Sequence, residues 1–477
     1  MRLCAYPAVC ALFLTSASAQ TDRLSKLIPD LMQKAGVPGV SIAVVDGGKI
    51  AWTGAFGVRN TKTGEKVDDH TVFQAASLSK AVFAYAVLQL ADEGKLDLDT
   101  PVSRYLPAYV ENDDRVNLIT ARHVLTHRTG FPNWRPGGKP LTIAFAPGER
   151  FSYSGEGFFY LQRAVEKITG QPIEAFVRQR VFVPLGMADS SYVWQERYET
   201  AAATGHNGAG APSRLAKPKE GGSPINGGGG PSAAYSLLTT AQDYARFAIA
   251  VMNGTGLKPE TARRMLSPQS ATDAGCSNCI GRPVTKTSDT ISWGLGIGLE
   301  ETAHGRTFWQ WGDNGDFKAF VAATPGSKHG VAIFTNGANG MMIIPDIVEE
   351  AMGGSQPAFS WIHYERYDSP RMKLFRAILD QGIEEALQQY RAGPPIEEGP
   401  LNELGYQLIA AKKFQEAIRV FELNTAAYPK SANAWDSLAE GYWIGGKELA
   451  IAYYRKSLEL NPGNSNAAEA LKKLEAK

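Results

Sequence analysis

A serine stands three residues before a lysine in the run Phe73-Gln-Ala-Ala-Ser77-Leu-Ser-Lys80-Ala-Val-Phe-Ala-Tyr85. Residues i and i+3 are neighbours on an α-helix, so the Ser77 hydroxyl and the Lys80 amine would share a face. Val82, Phe83, Tyr85, Ala86, Leu88 and Leu90 follow with helical spacing, which places the pair in the first turn of a largely buried helix. A serine there feels the partial positive charge of the helix N-terminus, and a buried lysine loses its proton readily enough to act as a base. That is a nucleophile with its activator. The bland alternative is a solvated helix start, since two common residues at a fixed offset recur in many chains.

Two other stretches could complete the chemistry. Tyr153-Ser154-Gly155 sits in Ala146-Pro-Gly-Glu-Arg-Phe-Ser-Tyr-Ser-Gly-Glu-Gly-Phe-Phe-Tyr160. A tyrosine in a loop opening a helix can present its phenol to a cleft, and a neighbouring lysine that lowers its pKa would let phenolate take the serine proton. In Trp309-Gln310-Trp311-Gly312-Asp313-Asn314-Gly315, a strand ending in glycine allows close approach of a ligand, and the next N–H can serve an oxyanion. Alone, the first is an ordinary core or surface tyrosine and the second an edge strand entering a turn.

Together and in this order, the three stretches resemble the serine β-lactamase and penicillin-binding-protein superfamily. The resemblance is to its class C β-lactamase-like branch, which includes D-alanyl-D-alanine carboxypeptidases, D-aminopeptidases and esterases. It extends over about residues 22–355, with supporting landmarks at Gly36-Val-Pro-Gly-Val-Ser-Ile-Ala-Val-Val45, Leu125-Thr-His-Arg-Thr-Gly130, 231–247 and Trp293-Gly-Leu-Gly-Ile-Gly298. It implies Ser77 as the acylated nucleophile, Lys80 as its proton partner and Tyr153 as second general base and acid. The backbone N–H groups of Ser77 and Asp313 would form the oxyanion hole, with Gln310 and Gly312 bordering the substrate. No metal or cofactor is implied.

Two departures from the family pattern bear on substrate. Tyr153-Ser154-Gly155 stands where the family has Tyr-x-Asn, so the side-chain amide that holds a substrate amide is missing. Gln310-Trp311-Gly312 replaces Lys-Thr-Gly and with it a cation for the β-lactam carboxylate; charge-assisted hydrogen bonds are roughly twice as strong as neutral ones. Gln310 retains a neutral donor. The expectation is an ester or D-amino-acid peptide substrate over efficient β-lactam hydrolysis. The rival is a catalytically silent β-lactamase-like binding protein that recruits partners through C-terminal helical repeats. His127 invites a triad reading, but the family uses its segment structurally, and Glu156 reads as a solvated helix face beside the site.

These residues need elements to position them. Leu24, Leu27, Ile28, Leu31 and Met32 predict an amphipathic helix from Asp22 to Ala35, stopped at Gly36. Val40–Val45 and Ile50–Phe56 read as a hairpin around Asp46-Gly-Gly-Lys49. Strand patterns return at Trp293–Leu299, Thr307–Gln310, Lys318–Thr324 and Gly330–Thr335, and a helix at Ile344–Met352 follows. Strands at both ends of a helical middle predict an α/β (α+β) domain: one antiparallel sheet flanked by helices.

At 477 residues the chain exceeds one core. Met1-Arg2, an apolar run from Leu3 to Leu14 and Ala17-Ser-Ala19 read as a signal peptide over 1–19, hence a periplasmic or secreted protein without a membrane span in the mature chain. The hydrolase domain is expected over 20–355 and a linker over 356–371. An all-α tetratricopeptide-like domain is expected over 372–477, because Leu404-Gly405, Ala417, Phe421 and Pro429 are echoed by Leu438-Ala439, Ala450, Tyr454 and Pro462 after about 33–34 residues. Such repeats would dock a protein or peptide, while the hydrolase takes a small molecule or peptide. A formal net charge of +1 gives no footing for nucleic acid. Cys276 and Cys279 read as a structural bridge or two idle thiols.

Overall fold

The computed structural model describes residues 8–135, 137, 139–213, 218–223, 230–282, 286–391, 393–445 and 447–475. The chain divides into two compact units, residues 1–206 with 212–364, and residues 365–477 with 207–211.

The first unit is built on an eight-stranded sheet. The hairpin forms where the pattern placed it, as β1 (Gly39–Asp46) and β2 (Lys49–Gly57), and Gly47 and Gly48 take φ of +57° and +76° at its turn. The remaining strands are β3 (Ser270–Asp273), β4 (Thr287–Trp293), β5 (Gly298–Thr302), β6 (Gly305–Asp313), β7 (Lys318–Thr324) and β8 (His329–Thr335). Their spatial order is β2-β1-β8-β7-β6-β5-β4-β3, antiparallel throughout. The chain thus returns to its first hairpin through β8. Every residue of β7, and all of β1 but Asp46, is buried, so helices cover both faces of the sheet centre.

Helix α1 (Ala8–Ala35) extends fourteen residues ahead of its expected start, because no glycine or proline interrupts the run from Ala8 to Pro29. The first seven residues of the expected leader lie outside the described residues. No described helix is long and apolar enough to cross a membrane. Helix α2 (Ser79–Asp92) buries eleven of its fourteen residues, as a helix apolar on all sides must. Around it pack α3 (Gly155–Thr169) and α4 (Ala241–Asn253), which share its core with β1, β7 and β8. Helix α5 (Ile344–Met352) has the predicted bounds.

Two expectations are corrected. The predicted strand Trp293–Leu299 is the end of β4, a turn and the start of β5: Gly296 takes φ +86° and Gly294 N–H bonds the Ile297 carbonyl at 2.9 Å. Alternating apolar residues there mimic a strand. The expected linker over 356–371 instead starts with α6 (Pro357–Ile362), which closes on β4 and β5. Trp361 buries against Trp293, Trp309 and Trp311 and donates to the Asp273 carbonyl at 2.7 Å, so the first unit extends to Tyr364.

The second unit is helical. It runs α7 (Pro370–Gln381), α8 (Ile383–Tyr390), α9 (Glu398–Ala410), α10 (Phe414–Ala427), α11 (Ala432–Gly445), α12 (Lys447–Leu460) and α13 (Ser465–Glu475), each packed on the next along α9–α13. Phe421 lies where a Cβ on Gly405 would stand, 2.2 Å from its Cε1, so the α9–α10 crossing depends on that glycine. Ala439, Ala450 and Tyr454 share a core at the next crossing.

Candidate active site

Ser77, expected in the first turn of the helix, sits just ahead of it, in a 3-10 turn (Ala76–Leu78) that runs directly into α2. The preceding residue, Ala76, takes φ +48°, a left-handed conformation costly for a residue with a Cβ. The turn is therefore clamped from several sides. Ser79 Oγ donates to the Ala76 carbonyl at 2.5 Å and accepts from Leu237 N–H at 3.0 Å. Tyr244 and Tyr192 donate to the carbonyls of Leu78 and Ser79 at 2.9 and 2.6 Å. Ser77 itself remains partly exposed, as a group that meets substrate must be.

Lys80, 1% exposed, places Nζ 2.9 Å from Ser77 Oγ and 2.7 Å from the Ala234 carbonyl. Its surroundings are otherwise aromatic: the rings of Tyr153, Trp134 and Phe158 lie 5.0, 5.7 and 5.9 Å from Nζ. Burial penalises the ammonium and lowers the amine from 10.5 to about 7.

Tyr153 reaches the same point from the loop before α3. Its N–H donates to the Ser277 carbonyl at 2.8 Å, and Cys279 N–H to Ser152 Oγ at 3.2 Å, so the loop closed by the Cys276–Cys279 disulfide holds the segment in place. The phenol hydrogen-bonds Ser77 and Gln310, but burial outweighs both and pushes it above its ordinary range. Burial among His127, Trp293 and Trp311 favours the protonated phenol, against the direction that a phenolate base requires. Between these two groups, Lys80 is the one able to take a proton at pH 7.

Gln310, expected to border the substrate, is fully buried, and its amide donates to the Tyr153 hydroxyl at 3.2 Å and to the Trp311 carbonyl at 3.1 Å. Both amide hydrogens are committed, and the bond to Tyr153 holds the phenol in place. Gly312 brings β6 against the nucleophile turn: a Cβ there would stand 2.4 Å from the Ala75 carbonyl oxygen. The Asp313 carboxylate is held by Lys318 at 2.5 Å, Gly315 N–H at 2.8 Å and the Tyr364 hydroxyl at 2.6 Å. Its backbone N–H, the expected oxyanion donor, follows Gly312 directly.

His127 lies behind Tyr153, stacked at 4.2 Å, and its Nδ1 accepts from Ser154 N–H at 3.0 Å. It supports the tyrosine rather than forming a triad. Glu156 is not solvated; it is buried, pairs with Arg135 at 3.1 Å and accepts from Tyr109 at 2.6 Å. Sequence reasoning missed Trp134. Its ring carbons Cη2 and Cζ3 stand 2.5 Å from where a Cβ on Gly155 would be, filling the place of the absent amide. The available signal was a tryptophan in the glycine- and proline-rich loop Phe131-Pro-Asn-Trp-Arg-Pro-Gly-Gly138.

A serine on a clamped turn, a buried amine in contact with it and a strand glycine beside it make an acyl-transfer geometry on a helix-flanked antiparallel sheet, that of a serine hydrolase. The beta-lactamase family model matches residues 24–345, and the chain belongs to that family. Esterase EstB of Burkholderia gladioli is 28% identical over 293 residues, 52% of this chain and 74% of that protein. Penicillin-binding protein 4 of Amycolatopsis lactamdurans is 29% identical over 339 residues, 66% and 85% of the two chains. In fold, the chain resembles a class C beta-lactamase solved with cefoxitin, at a TM-score of 0.59 and 20% identity over 71% of this chain and 99% of that one. The D-alanine carboxypeptidase AmpC from Burkholderia cenocepacia gives 0.57 at 21% identity, with the same coverage.

Proposed function

We propose that this serine hydrolase is exported and forms an acyl-enzyme on Ser77, acting on uncharged esters or peptide-like amides in preference to β-lactams. The contact of Lys80 Nζ with Ser77 Oγ at 2.9 Å carries the reading. The neutral amine takes the hydroxyl proton as Oγ bonds the substrate carbonyl carbon, and negative charge collects on the carbonyl oxygen. The N–H groups of Ser77 and Asp313 stabilise that oxygen. Collapse breaks the bond to the leaving group, which takes a proton relayed from Lys80 through the Tyr153 hydroxyl. Water then gives a proton to the neutral Lys80 as its oxygen bonds the acyl carbon; the bond from that carbon to Oγ breaks, the carboxylic acid leaves, and Lys80 returns the proton to Oγ.

Charge favours the ester. Lys318 is engaged by Asp313 and Arg135 by Glu156, and Gln310 is neutral and turned inward. A substrate carboxylate therefore finds no unpaired partner among these groups. The names of the two relatives, an esterase and a penicillin-binding protein, agree with acyl chemistry of either kind. Export rests on the leader-like N-terminus. The helical unit reads as tetratricopeptide-like repeats for a protein or peptide partner, supported by the nesting of Phe421 on Gly405. The exported chain, its amino terminus at Gln20, should turn over p-nitrophenyl esters with at least tenfold higher kcat/KM than benzylpenicillin. The reverse order would sink the substrate assignment, and no turnover of either would sink the hydrolase reading for both classes.

A further inference from the structure

Trp134 is 46% exposed, yet it is held in one place. Its ring lies over Gly155, where even a methyl group would collide with it, and meets Tyr235 edge-to-face at 5.4 Å. The ring is 5.7 Å from the amine that touches Ser77, so an apolar surface begins at the nucleophile itself. A large aromatic face kept in water beside a reactive group is a surface for a flat apolar group to cover.

The site's polarity says which arm of the substrate that is. Tyr153 meets Gln310 on β6, so a leaving group protonated by Tyr153 lies towards Gln310 and Trp311. The acyl arm leaves the carbonyl carbon on the other side. That side is formed by the segment whose Ala234 carbonyl holds Lys80 and whose Tyr235 carbonyl accepts from Asn314 at 3.3 Å, and Tyr235 carries the wall on to Trp134. The neighbouring cation, Arg135, is taken by Glu156 and lies 5.2 Å from the Tyr109 ring, so it is not free to pair with a charged acyl group.

We propose that Trp134, backed by Tyr235, is the specificity-determining residue of this hydrolase and selects uncharged aromatic acyl groups of the arylacetyl type. The proposal rests on the acyl-serine reading of Ser77. Stacking on an aromatic face and filling an apolar pocket each change discrimination by about tenfold or more.

In the full chain, kcat/KM for p-nitrophenyl phenylacetate should exceed that for p-nitrophenyl acetate at least tenfold. Trp134→Ala should lower that ratio about tenfold, and Trp134→Phe should keep most of it. A ratio unchanged by Trp134→Ala overturns the proposal, as does a change seen only when the aromatic group is in the alcohol, with benzyl acetate against ethyl acetate. A second measurement needs no turnover. N-benzylphenylacetamide should bind Ser77→Ala protein, and adding Trp134→Ala should weaken its Kd about tenfold. Equal Kd values, or no binding to either protein, overturn the subsite. Binding that depends on Trp134 in a chain that hydrolyses no ester would instead overturn the acyl-serine reading.

Discussion

Lys80→Met will lower ester kcat/KM by about 10³-fold or more, and Ser77→Ala will cost as much. The size follows from how unusual the amine is. A lysine at its ordinary 10.5 would be neutral in only about one molecule in three thousand at pH 7. Lowered to about 7, roughly half are neutral, and that neutral amine is 2.9 Å from the hydroxyl it must deprotonate. Because burial lowers this pKa, the active form gains population as pH rises, so kcat/KM should climb through pH 7 and level off above it. Lys80→Met removes that limb along with the rate. Methionine has a similar apolar stem, so the variant should keep its fold. Residues acting as one unit are not additive, and the double variant should be no worse than either single one.

Gly312→Ala should lower kcat by about 10²-fold with a much smaller change in KM, the cost of losing one oxyanion donor. The added Cβ would stand 2.4 Å from the Ala75 carbonyl and 3.2 Å from the Ala76 Cβ, both backbone-anchored parts of the turn that carries Ser77. Neither can yield alone, because Ala75 N–H is bonded to the Leu237 carbonyl and Ala76 accepts from Ser79 Oγ. Strand β6 must move away instead, separating the Asp313 N–H from the Ser77 N–H. Single-turnover rates that match wild type would show that this approach does not set the oxyanion geometry.

What was legible in the sequence was local. The β1–β2 hairpin, β7, α5 and the Ser77–Lys80 offset each follow from spacing within about ten residues, and the structure places them within a residue or two of the expected bounds. Ser77 falls on a 3-10 turn because Ala76 adopts a conformation usually left to glycine, and no residue type announced it. Environment was less legible still. Tyr153 has a raised pKa because Trp293 and Trp311, more than 130 residues away, enclose it, and Gln310 turns inward to the phenol across the same distance. Glycine at 155 was readable as a missing amide, whereas the indole that replaces it comes from a separate loop.

The central claim is a covalent ester on Ser77. It is tested most directly by acid-quenching the enzyme within milliseconds of mixing with p-nitrophenyl phenylacetate and mapping the mass increment on its peptides. The account predicts one acyl group per chain, on the peptide containing Ser77, accumulating at the rate of the p-nitrophenol burst. An increment on another residue, or full ester turnover without any adduct even when deacylation is slowed at low pH, would contradict it.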